Sequence, residues 1–329
     1  MLSIAVIGAG RIGRIHARSI AGHARARLAG IADPDEAAAG DLSTACGTAP
    51  ITLDEAFAAE AVLIASPTPT HADYIERAAA ARRAVFCEKP IDLSAERVRA
   101  CLEAVARAGT TLMVGFNRRF DPSFAELKRR LDAGAIGRLE TLAITSRDPA
   151  PPPAAYLAQS GGLFRDMMIH DFDMARFLLG EEPTTLHAAA SCLVDPAIAR
   201  AGDVDTAMVT LTTRSGALCQ ITNSRRAIYG YDQRIEAHGS AGLLRAGNAR
   251  PTTLEIADAH GFTTDPALPF FLERYAAAYR AELDAFIAAV LDATPATPTG
   301  ADGLRALLLA DAAVVSAQTG GVVGLDAPG

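Results

Sequence analysis

Residues 2–20 read LSIAVIGAGRIGRIHARSI, a short apolar run that passes straight into Gly8-Ala9-Gly10-Arg11-Ile12-Gly13 and then into a helical pattern. A strand, G-x-G-x-x-G and a helix, in that order, form the dinucleotide-binding fingerprint. Gly8 permits the tight turn, Gly10 lets the backbone approach a pyrophosphate, and Gly13 allows close helix–strand packing. The diphosphate would then sit on N–H groups at the helix N-terminus. A glycine turn alone is a weak signal, and the next unit strengthens it. ARLAGIAD (26–33) is a second strand ending in Asp33, 20 residues beyond Gly13, where an acid is expected to take the adenosine ribose hydroxyls. The run Asp33-Pro34-Asp35-Glu36 is followed by no arginine for a 2′-phosphate. Like charge beside a phosphate is unfavourable, so the expected cofactor is NAD, not NADP.

Strand and helix signals keep alternating to about residue 120. AVLIAS (61–66) is a strand, and Thr68-Pro69-Thr70 opens a helix from His71 to Arg82. RAVFCEKP (83–90) is a strand closing on Glu88-Lys89-Pro90, Ser94 caps a helix to about Ala108, and Thr111 to Gly115 is a further strand. Repeated β-α-β units imply a parallel, doubly wound sheet with its ligand at the strands' C-terminal ends. Ser66, Thr68, Glu88, Lys89 and Asn117 fall at such ends, and His71 heads the helix beside them. With the glycine turn and Asp33 they make up the expected cofactor contacts.

After residue 120 the rhythm changes. A helix (122–133) leads to a strand near 138–147 and a proline-rich loop, Asp148 to Pro153. Strands follow at 184–193, 204–213, 217–225 and 232–238, and helices at about 269–292 and 301–318. VDTAMVTLTT and ALCQITNS alternate as half-exposed antiparallel strands should. The expected architecture is a Rossmann domain over 1–120 followed by an α+β domain over 121–329 with a large, mainly antiparallel open sheet. A sheet with one uncovered face commonly seeks a partner, so a homo-oligomer is expected.

Between the strand near 138–147 and that at 184–193 lies GGLFRDMMIHDFDMARFLLG (161–180). Its apolar residues recur at steps of three and four, and Asp166 and His170 stand at i and i+4 on the expected helix face. A carboxylate beside an imidazole is a proton-transfer pair. The alternative is an acid that merely suits the helix macrodipole. Asp173 lies three residues further on, as a supporting carboxylate or a packing residue. These three could imitate a metal site, but such sites usually carry more His or Cys. No metal is expected.

The chain of 329 residues is 50% apolar, long enough for two cores. Its net charge of −7, from 31 basic and 38 acidic residues with no basic block, argues against nucleic-acid and anionic-membrane partners. The five cysteines are odd in number and scattered without C-x-x-C, as in reduced thiols of a cytoplasmic protein. No segment has the apolar length of a membrane span, and the N-terminus lacks a signal-peptide pattern.

GAGRIGRIHA, CEKP, GFNRRFDPSF, ITSRDPAPPP, GGLFRDMMIHDFDMARFLLG and SRRAIYGYDQRIEAHGS together resemble the glucose–fructose oxidoreductase / inositol dehydrogenase / rhizopine catabolism family. The resemblance covers essentially the whole chain. E-K-P and D-x-x-x-H mark the broad family, while the proline-rich loop, IHDFDMARFLLG and YGYDQR are closer to its inositol branch. It implies a cytoplasmic, homotetrameric NAD-dependent oxidoreductase acting on CH–OH groups, specifically oxidising myo-inositol to 2-keto-myo-inositol. It also implies that Lys89, Asp166 and His170 form the catalytic group, which spacing alone would not have joined.

The chemistry suits those residue types. His170 is the expected base, since imidazole titrates near ~6.5. Lys89 would bind the alcohol oxygen and stabilise charge developing there. Asp166 would position the group and bond a neighbouring hydroxyl. Arg118, with Asn117, follows a strand end facing the nicotinamide and is a candidate substrate contact. Tyr229 and Tyr231 alternate onto one side of an expected extended strand; the resemblance makes one of them, and Tyr279, a polyol contact, although tyrosines at strand positions are more often packing residues. Arg119 is equally suited to a structural ion pair. Two other readings stay open. One is a dehydrogenase of another inositol isomer or a cyclic aldose. The other is a non-catalytic dinucleotide-binding regulator, against which the joint presence of Lys89, Asp166 and His170 argues.

Overall fold

A computed structural model describes residues 1–153, 156–157 and 160–325 and divides the chain into two compact units. The first comprises Met1–Phe120 and Ala278–Leu307. Its elements alternate as β1 (Leu2–Ile7), α1 (Arg11–Ala21), β2 (Ala26–Ala32), α2 (Glu36–Cys46), α3 (Leu53–Ala56), β3 (Ala61–Ile64), α4 (His71–Ala80), β4 (Ala84–Glu88), α5 (Ala95–Ala108) and β5 (Leu112–Gly115). Helices α2, α3 and α5 start where short polar side chains take orphan amides. Asp35 accepts from Ala37 N and Ala38 N, Thr52 and Glu55 form a reciprocal capping box, and Ser94 accepts from Arg97 N.

The five strands pair in parallel in the order β2-β1-β3-β4-β5. The chain leaves β1 for β2 on one side and later returns to β3 on the other. That reversal opens a crevice at the C-terminal ends of β1 and β3, the ligand position of open α/β sheets. Ile4, Val6, Ile31, Leu63, Phe86 and Met113 fill the core beneath, with Ala17 and Ile20 of α1. Leu283, Phe286 and Ile287 complete the same core. Residues 278–307, read above as part of the second domain, thus lie in the first unit.

The second unit comprises Asp121–Ala277 and Leu308–Gly329. It carries α6 (Pro122–Asp132), β6 (Leu139–Arg147), α7 (Gly162–Asp166), α8 (Ile169–Leu179), β7 (Pro183–Ser191), α9 (Pro196–Arg200), β8 (Thr206–Thr213), β9 (Leu218–Ser224), β10 (Asp232–Gly239), β11 (Gly242–Ala246), β12 (Glu255–Asp258) and β13 (Gly261–Thr264). A last short strand, β14 (Val323–Gly324), follows the C-terminal helices α10 (Phe271–Arg274), α11 (Ala276–Leu291) and α12 (Gly300–Thr319). Seven strands form one sheet in the order β11-β10-β6-β9-β8-β7-β14. All its pairs are antiparallel except β6 with β9. In β8 Ala207, Val209 and Leu211 are buried while Met208 and Thr210 are exposed, so one face packs on the core. β14, in the C-terminal tail after Gly320, pairs with Leu186 and Thr185 at the sheet's edge. The tail's last four residues lie outside the described ones.

Three local expectations are corrected. The 161–180 stretch is two helices, not one. The Leu163 carbonyl accepts from both Met167 N and Met168 N, each at 3.0 Å, so the ladder slips by a residue. Asp166 therefore ends α7 and His170 sits in the first turn of α8. The helix expected over 269–292 breaks at Tyr275, whose hydroxyl donates to Gln233 Oε1 at 3.0 Å while neighbouring Arg274 pairs with buried Asp121. Tyr229 and Tyr231 do not alternate along a strand. They flank Gly230, whose φ of +112° turns the chain where a Cβ would lie 2.5 Å from the Ala267 carbonyl oxygen. β11 and the β12–β13 hairpin were not anticipated.

Candidate active site

The glycine turn of the first unit separates into two kinds of position. A Cβ at Gly13 would stand 1.9 Å from the Gly8 carbonyl oxygen, and one at Gly8, where φ is +108°, 2.5 Å from that of Ala65. These glycines let α1 and β3 close on the end of β1. A Cβ at Gly10 would meet nothing within 4 Å. Gly10 faces open space at the N-terminus of α1 and caps that helix with no side chain, which leaves a cradle for an anion. Arg11 is exposed at the same place, with Ile12 half-buried behind it. Asp33 closes the crevice. Its Oδ2 accepts from Ala9 N at 2.6 Å and its Oδ1 from Asp35 N at 2.9 Å. A carboxylate offers about four lone-pair directions, so these bonds fix Asp33 without exhausting it. The turn and the acid fit an adenosine diphosphate.

The ends of β3 and β4 lie along the same rim. Ser66 Oγ is 2.6 Å from Thr70 Oγ1, closing the short turn Thr68–Thr70. His71 is 2% exposed, and its ring points away from solvent: Nε2 lies 2.7 Å from the Ser66 carbonyl oxygen and Nδ1 2.7 Å from that of Pro90. Burial pushes this imidazole below its usual range, while the two carbonyls and Glu88 pull it back up. Lys89 is half-buried at the end of β4. Asn117 and Arg118, both 4% exposed, occupy the turn after β5, and Arg119 forms an ion pair with Asp302 at 3.0 Å.

Behind Lys89 lies a cluster that the sequence did not suggest. His16 of α1 is fully buried, and its Nε2–H donates to Glu88 Oε1 at 2.7 Å. Glu282 of α11 is also fully buried, with Oε1 3.9 Å from the same nitrogen. Tyr279, one turn earlier on α11, stands edge-on to the His16 ring at 5.7 Å. Gly115 beside Glu88 leaves its carboxylate room, since a Cβ there would approach Glu88 Oε2 to 3.0 Å. The three groups have metal-ligating chemistry, but two ligands bonded at ~2.0–2.1 Å to one tetrahedral ion sit ~3.4 Å apart. The His16–Glu88 contact is a hydrogen bond. Burial, with Glu88 as a neighbouring negative charge, raises the Glu282 carboxyl well above the usual range.

In the second unit Asp166 is held from two sides. The Tyr156 hydroxyl donates to Oδ1 at 2.8 Å, and Arg225 Nη2 approaches Oδ2 at 3.4 Å. Arg225 is 1% exposed and also faces Asp148 at 3.9 Å, so a buried guanidinium sits beside two acids. His170 begins α8, and its neighbour Asp171 anchors that helix to the sheet. Ser146 Oγ donates to Asp171 Oδ1 at 2.5 Å and Asn223 Nδ2 to Oδ2 at 2.9 Å. Asp173 is fully buried on the same helix. The Tyr229 hydroxyl donates to Asp232 Oδ2 at 2.6 Å and accepts from Arg147 at 2.7 Å. Tyr231 is buried edge-on against Tyr275 and Phe270. Arg225 and Asp171 were missed, although both lie within the quoted motifs. For Asp171 the available signal was a charge inside an otherwise apolar helical pattern, which needs a partner when buried; Arg225, beside Arg226 just after β9, carried no such signal.

Two family models match this chain in succession: an oxidoreductase family with an NAD-binding Rossmann fold over residues 2–116, and the GFO/IDH/MocA C-terminal domain over 124–245. The chain belongs to the GFO/IDH/MocA oxidoreductase family. It is 55% identical over 314 residues to the inositol 2-dehydrogenase of Rhizobium meliloti, covering 94% of this chain and 95% of that protein. Its structure matches the myo-inositol dehydrogenase of Corynebacterium glutamicum with a TM-score of 0.95 at 47% identity, covering both chains fully. It matches the scyllo-inositol dehydrogenase of Lactobacillus casei, solved with NAD(H) and scyllo-inositol, with a TM-score of 0.92 at 29% identity over 98% of this chain and 99% of that one. The family model over residues 2–116 is that of an NAD-binding Rossmann fold, and the cofactor is NAD.

The raised Glu282 carboxyl has a thermodynamic signature. The folded glutamate ionises at higher pH than the unfolded one, which ionises near ~4.5, so above that value the unfolded state binds fewer protons and stability falls as pH rises. Glu282→Gln removes this term. The melting temperature of the variant minus that of wild type should rise from pH ~5 to pH ~8, read by calorimetry. Parallel profiles would mean that Glu282 is ionised in the folded protein.

Proposed function

We propose that this protein oxidises myo-inositol at a secondary alcohol to the 2-keto compound, with NAD as oxidant. The observation that carries the reading is the fit of the Gly8–Gly13 cradle and Asp33 to an adenosine diphosphate, joined to E-K-P and D-x-x-x-H in one chain. NAD, when bound, supplies the acceptor for a hydride. The chain's residues do the rest. His170 accepts the hydroxyl proton, the carbinol hydrogen leaves with its bonding electrons, and the C–O bond becomes a carbonyl. Lys89 holds the oxygen and stabilises negative charge as the proton departs. Asp166, set by Tyr156 and Arg225, orients the substrate through an adjacent hydroxyl. What groups Lys89 with Asp166 and His170 is the motif match. One of Tyr229 and Tyr231, with Tyr279, comes to the polyol by the same match, and Arg118 by its place after the strand end that faces the nicotinamide. Of these, exposed Tyr229 is the more available contact, and buried Tyr231 supports packing.

The names of the relatives favour an inositol, and the scyllo isomer is the main competitor. An axial and an equatorial hydroxyl differ by an ångström-scale placement, which suffices to separate rates by orders of magnitude. Five free thiols and the carboxylate-rich surface suit a cytoplasmic enzyme. Among the described residues no helix is long and apolar enough to cross a membrane.

NADH formation should be faster, in kcat/KM, with myo-inositol than with scyllo-inositol or glucose, and faster with NAD than with NADP. Lys89→Ala and His170→Ala should each lower turnover by a factor on the order of 10² or more with NAD binding retained. Wild-type turnover in either variant removes that residue from the reaction, and a glucose or scyllo-inositol preference overturns the substrate.

The open face of the large sheet is the proposed oligomer interface. Met208, Leu218 and Leu243 are 53%, 46% and 45% exposed there; Met208 stands opposite Thr222, Leu218 opposite Thr141 and Thr212, and Leu243 opposite His238. Exposed apolar side chains on a sheet face are what association covers. Light scattering should give a tetramer of the 34.2 kDa chain. A monomeric mass would contradict it.

A further inference from the structure

Lys89 sits between two anchored neighbours. On one side the Glu88 carboxylate accepts from buried His16 at 2.7 Å. On the other the Pro90 carbonyl oxygen lies 2.7 Å from Nδ1 of His71, whose Nε2 reaches the Ser66 carbonyl at the same distance. The imidazole thus spans the turn after β3 and the turn after β4. Both oxygens can only accept, so each contact calls for an N–H. A neutral ring serves one of them, and an imidazolium serves both.

The sequence counts His71 among residues at the cofactor's edge, but its buried ring is spent on the backbone. We propose that His71 is a positioning residue for Lys89: its Nδ1–H, bonded to the Pro90 carbonyl, fixes the turn that presents the lysine. The physical need is clear. A flexible four-carbon side chain delivers its ammonium reproducibly only from a fixed backbone, and the Lys89-Pro90 peptide offers no N–H at Pro90 to help fix it. A misplacement of about 1 Å costs up to ~10²-fold in rate. The inference rests on the reading that Lys89 acts on the alcohol.

The two ring nitrogens can be replaced separately. An asparagine amide overlays Nδ1 and keeps a donor for Pro90, whereas a glutamine amide overlays Nε2 and keeps one for Ser66. His71→Asn should therefore retain about tenfold more kcat than His71→Gln with myo-inositol, with NAD affinity by calorimetry differing less than ~3-fold between them. In a Lys89→Ala background the two should become equal, because a residue acting through Lys89 has nothing left to position. Melting temperatures confirm that both variants are folded. Equal kcat for His71→Asn and His71→Gln, or a full tenfold gap that persists without Lys89, would overturn the proposal while leaving the role of Lys89 standing. Wild-type turnover in Lys89→Ala alone would instead sink the reading beneath it.

Discussion

No Cβ fits between the end of β1 and the first turn of α1. At Gly13 it would lie 1.9 Å from the Gly8 carbonyl oxygen, less than any contact the backbone could absorb by shifting a side chain. This close approach lets α1 lie directly on the sheet, and the rest of the first unit inherits its geometry. It places Ala9 N where Asp33 can accept from it, tying β1 to β2 at the crevice. It also leaves Gly10 facing open space, so the same turn that packs the fold offers its backbone to a phosphate. One turn further along α1, His16 reaches the Glu88 carboxylate beneath Lys89.

Each unit also buries charge, and each manages it differently. In the first, burial beside Glu88 raises the Glu282 carboxyl and so favours its uncharged form. In the second, Asp171 accepts from Ser146 and Asn223, and Asp121 pairs with Arg274. Breaking such a pair costs about 3–5 kcal/mol because the survivor is stranded, whereas forming it adds little net stability. These groups are better understood as fixing register than as strengthening the fold. Asp171 sets α8 on the sheet and thereby sets His170, its neighbour in sequence.

Much of this was legible because local patterns were clean. The Rossmann alternation followed from apolar runs ending in glycine or a cap, and Asp33 from its spacing. The same holds for the antiparallel strands, where period-two alternation is strong. What escaped was decided by tertiary partners. The slip between α7 and α8 depends on one carbonyl taking two amides, and no propensity encodes it. The clustering of His16, Glu88 and Glu282 joins residues 72 and 194 positions apart, which only the fold brings together. The two backbone carbonyls that the His71 ring nitrogens face were not legible, since a histidine near a cofactor loop reads alike whether its ring faces ligand or backbone.

The central claim is that this cradle serves removal of a hydride from a polyol carbon. Myo-inositol carrying deuterium at C2 tests it directly, with the reduced cofactor analysed by mass spectrometry. The account predicts deuterium in the NADH formed, matched by one equivalent of ketone. NADH formed without deuterium, the label staying in the product, would place the oxidised carbon elsewhere and contradict the assignment.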